Sequence, residues 1–493
     1  MTMKRYIQRV FFMMALMAGG QWTAANGQAA VSPLDYGLRE ATTGIGRYYA
    51  LYNAHSEARD RGLTVSYAGI DSIDIELPPA WRALPLAPQT DFGGLVLTVT
   101  NRYRHGALFS MTNQGREVRM DKAMVDGLDF GSVPELAEGC HLLVLTDETP
   151  WTERQGYGYK AYRKDIIVVV DGRGQNSPVA RWDTEATRLR ATVYDVDTTQ
   201  KVFRNLTMHR TKESTYKTYC LSVSGQLNVL IDHVYVTTPK SRMIADGVFS
   251  IGNSACVHFA DDTVRGTYSG YGRWRDYGYA FSLNNLYATR FDRTEASGNW
   301  GVFGTNNLND TRLEDCSIDR FDIHCYGRDA YLKRCELRGR QTTVTSFYGT
   351  VVLDSCRMID YTPVAVRASY NAYPPFDAVI RDCTFELTRR QHALVCVNLE
   401  DTATNPREEL REKCWPNLTV ERLTVVAPWT VGGLDVFKPQ GNERCLDREY
   451  GHLERVSIKG LRTVRPGGRE VKLGVRLSAK PFKTKKELKY TTD

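Results

Sequence analysis

The 493-residue chain has neither a long apolar run in its body nor a CxxC motif. Beyond the first thirty residues, no stretch reaches the roughly eighteen consecutive apolar residues of a membrane-spanning helix. The eleven cysteines contain no CxxC pair, so their spacing does not support zinc binding or thioredoxin-type redox chemistry. We therefore expect no membrane span and no cysteine-based metal site.

The body of the chain also lacks an excess of charge of one sign. The formal net charge is +7, but the first thirty residues contribute three of these charges and residues 480–493 another net three. Residues 31–479 are left with a net charge of +1. A nearly neutral body does not support bulk electrostatic binding, so we expect no nucleic-acid partner.

Residues 1–30 have the composition of a signal peptide. Lys4, Arg5 and Arg9 precede a short apolar run, 11–18, and small residues follow it. The run is too short to form a stable span across a bilayer. We expect the mature protein to be exported, either to a periplasm or out of the cell.

Residues 31–200 are predicted to form an N-terminal cap and the first coils of a larger fold. Thr42 or Thr43 suits the start of a helix with an apolar stripe at Ile45, Tyr48, Tyr49 and Tyr52, ending at Gly62. Alternating apolar residues then predict strands within 63–78, 93–103, 141–148 and 164–172. The cap is therefore expected to be mixed but mostly β.

A repeat of short strands runs from residue 201 to residue 465. One position of the repeat is held by small residues at spacings of 22, 19, 21 and 27, namely Thr294, Cys316, Cys335, Cys356 and Cys383. A period in the low twenties, with β-branched strands and Asn or Gly turns, predicts a β-solenoid. Residues 466–493 are expected to form a C-terminal strand and a basic tail.

A second strand aligns in each coil and predicts which side chains point outward. Its columns are Phe249, Phe281, Phe303 and His324; Gly301 and Asp322; and Asn299 and Arg320. The turn that follows this strand holds Asn253, Asn285 and Asn307, and asparagine suits a left-handed backbone there. The phenylalanines are expected to form a stacking floor or to lie beneath a loop.

The cysteines fit the same alignment. The four repeat cysteines are predicted to be small buried core residues, a reading favoured over cross-links between neighbouring coils. Cys325 and Cys396 are assigned to an inward column of the second strand. Cys414 and Cys445 form the candidate disulfide.

One stretch carries a row of polar side chains at every second position. Arg320, Asp322, His324 and Tyr326 alternate with apolar residues. On a β-strand this spacing puts the four polar groups on one face. The row is therefore a candidate site, although a surface ion pair beside a turn histidine would give the same pattern.

The repeat and its turn asparagines resemble the right-handed parallel β-helix, pectate-lyase-like superfamily of exported carbohydrate-active proteins. The resemblance implies an all-β, right-handed parallel β-helix and glycan substrates, and it leaves the reaction open. The polygalacturonase pattern is absent, because no GHG occurs and Asp261-Asp262 is the only Asp-Asp pair. No aspartate cluster like the calcium site of pectate lyases is evident.

Two catalytic schemes are open. A glycosidase needs two carboxyl groups, for which Asp322 would pair with a residue such as Asp292 or Glu295. A lyase acting on a uronic acid needs a base and a cation, which His324 and Arg320 would supply. Substrate-binding candidates are the polar and aromatic residues near this row and in the 265–279 loop, namely Asn299, Trp300, Phe303, Tyr326, Arg328, Trp274 and Arg367.

We therefore predict an exported carbohydrate-active enzyme that cleaves glycosidic bonds of a polysaccharide in a groove on the β-helix, as a glycoside hydrolase or polysaccharide lyase. The alternative is a non-catalytic glycan-binding or adhesive β-helix. The expected partner is a polysaccharide or oligosaccharide. No cofactor is predicted and calcium is left open, as is the oligomeric state.

Overall fold

The computed structural model describes most of the chain, in fifteen segments. These are residues 30–154, 159–179, 188–216, 218–238, 247–266, 278–304, 307–324, 326–367, 376–388, 393–399, 416–428, 434–441, 455–471, 475–476 and 489–492. The predicted signal peptide except for Ala30 lies outside them, as do the candidate disulfide Cys414–Cys445 and Cys325. No helix in these segments is long and apolar enough to cross a membrane.

The chain forms two compact units. Unit 1 comprises Met1–Leu145, Ile166–Pro178 and Trp182–Gly301. Unit 2 comprises Thr146–Asp165, Val179–Arg181 and Val302–Asp493. The domain boundaries predicted at residues 30, 200 and 465 stay predictions.

Unit 1 begins with the helical part of the cap, a 3-10 helix (Pro33–Tyr36) followed by helix α1 (Gly44–Arg61). The Thr43 Oγ1 accepts a hydrogen bond from the Gly46 amide at 3.0 Å, and Gly62 ends α1 in the left-handed conformation at φ 65°. Both predicted ends of this helix are confirmed. Tyr48 is buried as expected, but Tyr49 is exposed and does not belong to the buried stripe. A short helix α2 (Lys122–Gly127) lies later in the cap.

The strands up to residue 301 belong to the cap and the first coils. They are β1 (Ala30–Val31), β2 (Thr64–Val65), β3 (Ser72–Glu76), β4 (Leu84–Pro85), β5 (Gln89–Thr100), β6 (Gly106–Thr112), β7 (Arg116–Asp121), β8 (Cys140–Arg154), β9 (Tyr159–Val170), β10 (Arg173–Gly174), β11 (Arg188–Asp195), β12 (Lys201–Arg210), β13 (Thr218–Ser224), β14 (Leu227–Thr237), β15 (Phe249–Ala260), β16 (Thr263–Arg265), β17 (Phe281–Asp292) and β18 (Glu295–Ser297). Strands β7 and β11 pair antiparallel, whereas β5, β12 and β14 pair in parallel. The mixed, mostly β cap followed by coils is confirmed.

The core of unit 1 contains ladders of stacked aromatic rings. Phe249 pairs in register with Phe281, and their rings stack at 5.3 Å with planes 8° apart. Phe259 and Phe291 repeat the arrangement at 4.6 Å and 6°. Phe249 and Phe281 are fully buried, so the expectation that they line an outward face is wrong. The alternation of residues along a strand is the same whether the phenylalanines face the core or the outside. They face the core because burying large aromatic rings is favourable.

Unit 2 consists of coils whose strands stack in parallel. They are β19 (Val302–Gly304), β20 (Leu308–Glu314), β21 (Ser317–Ile318), β22 (Phe321–Ile323), β23 (Gly327–Lys333), β24 (Glu336–Arg338), β25 (Gln341–Val344), β26 (Phe347–Asp354), β27 (Arg357–Ile359), β28 (Thr362–Arg367), β29 (Asp377–Arg381), β30 (Thr384–Glu386), β31 (Ala393–Leu399), β32 (Asn417–Glu421), β33 (Thr424–Val426), β34 (Leu434–Gly441), β35 (Arg455–Lys459), β36 (Arg462–Val464), β37 (Val475–Arg476) and β38 (Lys489–Thr492). Three strands per coil each pair with the matching strand of the next coil, as in β20–β23–β26, β21–β24–β27 and β22–β25–β28. The predicted fold, an all-β right-handed parallel β-helix, is confirmed.

The turns between strands repeat a left-handed backbone conformation. Asn253, Asn285 and Asn307 have φ values of 47°, 58° and 55°, which confirms the asparagine turn. A second left-handed position recurs in the coils of unit 2 and is occupied by Asp315, Arg334, Ser355, Asp382 and Arg422. Non-glycine residues rarely adopt this conformation, so its recurrence shows that coil geometry overrides local preference.

The four repeat cysteines form an unbridged column inside unit 2. Cys316, Cys335, Cys356 and Cys383 are all buried and all are free thiols. Their sulfurs contact backbone carbonyls, as between Cys383 Sγ and the Arg381 oxygen at 3.1 Å. The prediction of small buried core residues is confirmed.

Cys396 does not share the inward position assigned to it. Paired strands place it in register with Ala365, which is in register with Thr343 and, through it, with Asp322. Cys396 packs with Ala365 and Ala393 in a small cluster of its own. The expected inward column is therefore wrong, because the alignment of this coil was shifted by one residue.

Candidate functional site

Strand β22 brings the predicted polar row together. Asp322 is its central residue, Arg320 lies just before the strand and His324 just after it. The Arg320 Nη2 donates to Asp322 Oδ2 at 2.6 Å, and His324 Nε2 lies 3.0 Å from the same oxygen. Phe321 and Ile323 point to the opposite, core-facing side. The Arg–Asp–His trio on the outer face is thus a single hydrogen-bonded cluster.

The trio is far less exposed than an open groove would make it. Asp322 is completely buried, and Arg320 and His324 are only 9% and 8% exposed. Both neighbours bond to the carboxylate, so the pair formed by Arg320 and Asp322 is buried and not a surface ion pair. Only edges of the guanidinium and the imidazole remain accessible.

Two residues that follow the trio contact segments distant in sequence. The Tyr326 hydroxyl accepts a hydrogen bond from the Lys164 amide at 2.6 Å, and Tyr326 itself is buried. Arg328 Nη1 donates to the Val179 carbonyl at 3.4 Å. Both were predicted to bind substrate, but their contacts hold segments of unit 2 against the coil. The Tyr326 hydroxyl is thus already engaged by the protein, and the substrate-binding roles of both residues stay predictions.

The next coil adds two polar residues that sequence alignment missed. Thr343 stands in register with Asp322, and its Oγ1 lies 3.4 Å from Arg320 Nη2. Gln341 Nε2 donates to the same Thr343 oxygen at 3.0 Å. The repeat spacing could have identified Thr343 as the residue in register with Asp322. Thr343 follows Asp322 by 21 residues, the same number that separates Cys335 from Cys356.

The alignment of the preceding coil was also shifted. Phe303 pairs with Asp322, and not with His324 as expected. The predicted pairing of Gly301 with Asp322 is wrong for the same reason. Phe303 belongs to β19, but its side chain, like that of Arg367 in β28, lies outside the described part of the structure, as does all of Trp274.

The charges within the trio constrain its chemistry. An ionised Asp322 compensates the nearby guanidinium of Arg320, which a fully buried carboxylate requires. A neutral His324 that donates from Nε2 to this carboxylate carries its basic lone pair on Nδ1. The carboxylate then fixes the ring orientation and stabilises the protonated ring.

The two other predicted catalytic carboxylates lie in unit 1 with partners of their own. Asp292 Oδ2 is 2.7 Å from His258 Nε2, and Arg290 Nε donates to Asp292 Oδ1 at 2.9 Å. Burial raises the pKa of Asp292, but the hydrogen bonds from His258 and Arg290 outweigh it and the net shift is downward. A carboxyl that stays ionised is unsuited to be a general acid.

Glu295 is likewise committed to its surroundings. Its carboxylate accepts from Arg265 at 2.9 Å and from the Ser297 hydroxyl at 2.9 Å. The structure therefore groups Arg320, Asp322 and His324, and gives Asp292 and Glu295 separate ion pairs. The predicted carboxyl pair has no support from these contacts.

Two residues of unit 1 that were predicted to bind substrate, Asn299 and Trp300, make contacts within the protein. Asn299 is fully buried, donates to the carbonyls of Val264 and Ser297, and accepts from the Gly301 amide at 2.7 Å. Its side chain thus shapes a turn, and its predicted substrate-binding role stays a prediction. Trp300 is half-buried and meets Tyr279 edge to face at 5.4 Å.

One group of described residues has the spacing of a metal site. Ligand atoms of Asp232, His233 and Asp261 all lie within 4.8 Å of one another. His233 Nδ1 is, however, 2.7 Å from Asp232, and Asp261 accepts two bonds from Arg293 at 2.7 Å each. These atoms already have protein partners, so no metal assignment follows.

Comparison with known proteins finds similar folds at low sequence identity. No family model and no curated protein matches the chain. The tailspike protein gp49 from Pseudomonas phage LKA1 is 13% identical over 88% of this chain and 84% of its own, with a TM-score of 0.44. The gp54 tailspike of Acinetobacter baumannii bacteriophage AP22, in complex with a capsular saccharide, is 8% identical over 88% and 76%, with a TM-score of 0.48.

A surface adhesin is also similar. PfbA of Streptococcus pneumoniae is 9% identical over 89% of this chain and 90% of its own, with a TM-score of 0.37. Likeness at this level concerns the fold, and it assigns no residue of the trio.

Proposed function

We propose that the chain is a polysaccharide lyase that cleaves glycosidic bonds beside a uronic acid by elimination. The observation that carries this proposal is the Asp322 carboxylate, bonded on one side to Arg320 and on the other to His324. A base and a cation then lie on the same face of one strand. Elimination from a uronic acid requires both groups together.

His324 is the base in this scheme. Its Nε2 hydrogen is directed to Asp322, so Nδ1 takes the proton from C5 of the uronate. The C4–C5 double bond then forms as the bond between C4 and the glycosidic oxygen breaks, and the departing oxygen takes a proton from water or from the imidazolium. The resulting imidazolium is stabilised by the ionised carboxylate at 3.0 Å. Asp322 is a positioning residue, because its complete burial keeps it from the substrate.

Arg320 supplies the positive charge. Its guanidinium has several donors in a planar fork, which suits a substrate carboxylate and the negative charge that develops on it after C5 deprotonation. The bond to Asp322 holds the side chain in place before substrate arrives. Electrostatic groups that are already oriented need no rearrangement during the reaction.

Elimination is favoured over hydrolysis because the candidate site contains one carboxylate and not two. A canonical glycosidase places one carboxyl group on each side of the scissile bond. The trio supplies a single carboxylate, which is enclosed, and Asp292 and Glu295 are held in ion pairs. Neither is arranged as the acid–base partner of Asp322.

A second candidate function is glycan binding without catalysis. It is favoured by one observation, the near-complete burial of all three side chains. An ion pair of this kind can simply fix the strand and its neighbours. In that case the trio is structural, and glycan contacts lie elsewhere on the coils.

Export belongs to the same proposal. The basic and apolar composition of residues 1–30 supports secretion, and a polysaccharide substrate is consistent with a periplasmic or extracellular location. The expected partner is an acidic polysaccharide or oligosaccharide.

The test is digestion of a panel of polysaccharides, half containing uronic acids and half neutral, read by product mass. A lyase gives oligosaccharides that each lack one water relative to hydrolytic products, from uronate-containing members only. Products that have gained one water for each bond cleaved would contradict elimination and indicate hydrolysis. Retention of glycan without any product would favour the binding protein.

A further inference from the structure

A polar cleft in unit 1 is separate from the trio and has no role in the proposed reaction. It has a volume of about 580 Å³ and opens beside the end of helix α1. Its lining includes Leu86, Met111, Asn113 and Gln226. Pockets of this size hold small ligands and combine apolar walls with a few placed polar groups.

Gln226 is the unusual residue of the cleft. It is only 5% exposed, and its backbone is fully engaged, with its amide on Ser254 Oγ and its carbonyl on the Ala255 amide. Its side-chain amide forms no hydrogen bond with any residue that the structure describes. The amide nitrogen and oxygen are therefore available in the cleft to bond to water or to a ligand.

The turn before Gln226 is built to hold that position. Gly225 has φ 66°, and a Cβ there would come within 2.3 Å of the Tyr194 ring. Asn113 Nδ2 donates to the Gly225 carbonyl at 2.9 Å. The unpaired amide is therefore carried by a constrained turn and not by a loose loop.

The charges in the cleft balance one another. Lys201 Nζ is surrounded by three oxygen acceptors, including Asp197 Oδ1 at 2.7 Å. Asp195 is paired with Arg116 at 2.8 Å, and Arg59 is paired with Asp60. No cation remains to attract an anion, and the carboxylates of Asp195 and Asp197 would repel one.

The apolar side of the cleft completes the chemistry. Leu86 and Met111 line it without polar atoms that compete for a ligand. A sugar ring presents both hydroxyl edges and apolar C–H faces, which match an amide on one side and aliphatic groups on the other. Planar amides can donate and accept at the same time, as two adjacent hydroxyls require.

We propose that this cleft is a binding site for a neutral sugar residue, with Gln226 as its recognition group. The site lies within unit 1, and its existence does not depend on the proposed lyase activity. A second glycan contact of this kind would let the protein retain a polysaccharide whatever the reaction at the trio.

The test is saturation-transfer NMR of the full-length protein with neutral monosaccharides at about 10 mM, a concentration that detects millimolar affinity. Glucose, galactose, mannose, rhamnose and N-acetylglucosamine serve as probes, with glucuronate and galacturonate as acidic counterparts. Gln226→Ala removes the amide, and Thr112→Trp blocks the cleft from an exposed lining position. Gln175→Ala is the matched control, because its amide bonds only to the Arg173 carbonyl.

We expect at least one neutral sugar to bind, and both cleft variants to weaken that binding about tenfold or more while the control leaves it unchanged. His324→Ala is also expected to leave it unchanged, which separates this site from the proposed lyase site. The proposal is overturned if no neutral sugar binds, if only the uronates bind, or if binding survives Gln226→Ala and Thr112→Trp.

Discussion

At the scale of single residues, Asp322 determines the properties of the candidate site. It is enclosed on all sides, and one of its oxygens receives both Arg320 and His324. A buried ion pair contributes little net stability, because desolvation offsets the attraction. Removing one partner alone is costly, since the other charge stays buried and uncompensated.

We therefore expect Asp322→Ala to destabilise the protein by about 3–5 kcal/mol, because it leaves the Arg320 guanidinium without its counter-charge. The measurement is the unfolding midpoint in denaturant. Glu386→Ala is the control in the same unit, because it removes one of two partly exposed partners of Arg357, which keeps Glu336, and should cost at most about 1 kcal/mol. Equal losses in the two variants would contradict a buried, functional ion pair.

Asp262 is a second residue whose burial has a measurable consequence. Burial raises the pKa of Asp262 well above its ordinary value, opposed by a hydrogen bond from the Val234 amide and assisted by the nearby Asp232 carboxylate. The folded protein thus keeps a proton that the unfolded chain loses above about pH 4. The contribution of Asp262 to stability is fully present below that pH and is lost as the pH rises towards the raised pKa.

Asp262→Asn should remove this pH dependence, because asparagine keeps an acceptor for Val234 and does not titrate. We expect the unfolding free energy of the wild type to fall relative to Asp262→Asn by about 1.4 kcal/mol per pH unit above about pH 4. Denaturant titrations at several pH values measure the difference. A difference that does not change with pH would show that Asp262 is ionised in the fold.

At the scale of elements, the cysteine column shows how a coil position is repeated. Cys316, Cys335, Cys356 and Cys383 occupy the same place in successive coils and face the core. Hydrogen bonds to neighbouring cysteine sulfurs, together with burial, raise the pKa of Cys335 and of Cys383, whereas the hydrogen bonds that Cys356 receives lower its pKa. All four sulfurs are nevertheless buried, so a reagent in solvent does not reach them in the native protein.

These four thiols should therefore resist iodoacetamide in the native protein and react fully once denaturant unfolds it. Mass spectrometry of tryptic peptides measures the labelling of each cysteine. Rapid labelling of any of the four under native conditions, or recovery of peptides joined by a disulfide, would contradict the buried free-thiol column.

Strand β22 illustrates what a sequence pattern can predict about a site. Alternation of polar and apolar residues correctly placed Arg320, Asp322 and His324 on one face. It could not predict their burial, because burial depends on contacts between residues that are distant in sequence, such as the one between Tyr326 and Lys164, 162 positions earlier. It also missed Thr343, since strand β25, which holds it, has no charged residue to mark the face.

At the scale of the whole molecule, the repeat was sufficient to predict the fold. A period in the low twenties appears in the sequence because each coil meets only its neighbours, so one constraint recurs many times. The exact register was harder to predict, because insertions change the spacing and a shift of two residues preserves alternation. Phe303 was consequently aligned with His324, whereas it pairs with Asp322.

The fold does not determine the reaction, because many activities share the same scaffold. The proposal that His324 is a catalytic base therefore depends on the trio alone. The most direct measurement is the rate at which unsaturated uronate products form, followed by ultraviolet absorbance, for wild type, His324→Ala and His209→Ala. His209 is a matched control that bonds to Thr237 in unit 1.

We predict that His324→Ala lowers the rate by about 100-fold or more, as loss of a general base does, while its unfolding midpoint stays near that of the wild type. His209→Ala should retain the wild-type rate. A folded His324→Ala variant that forms unsaturated product as fast as the wild type would contradict the assignment of the trio as the catalytic site.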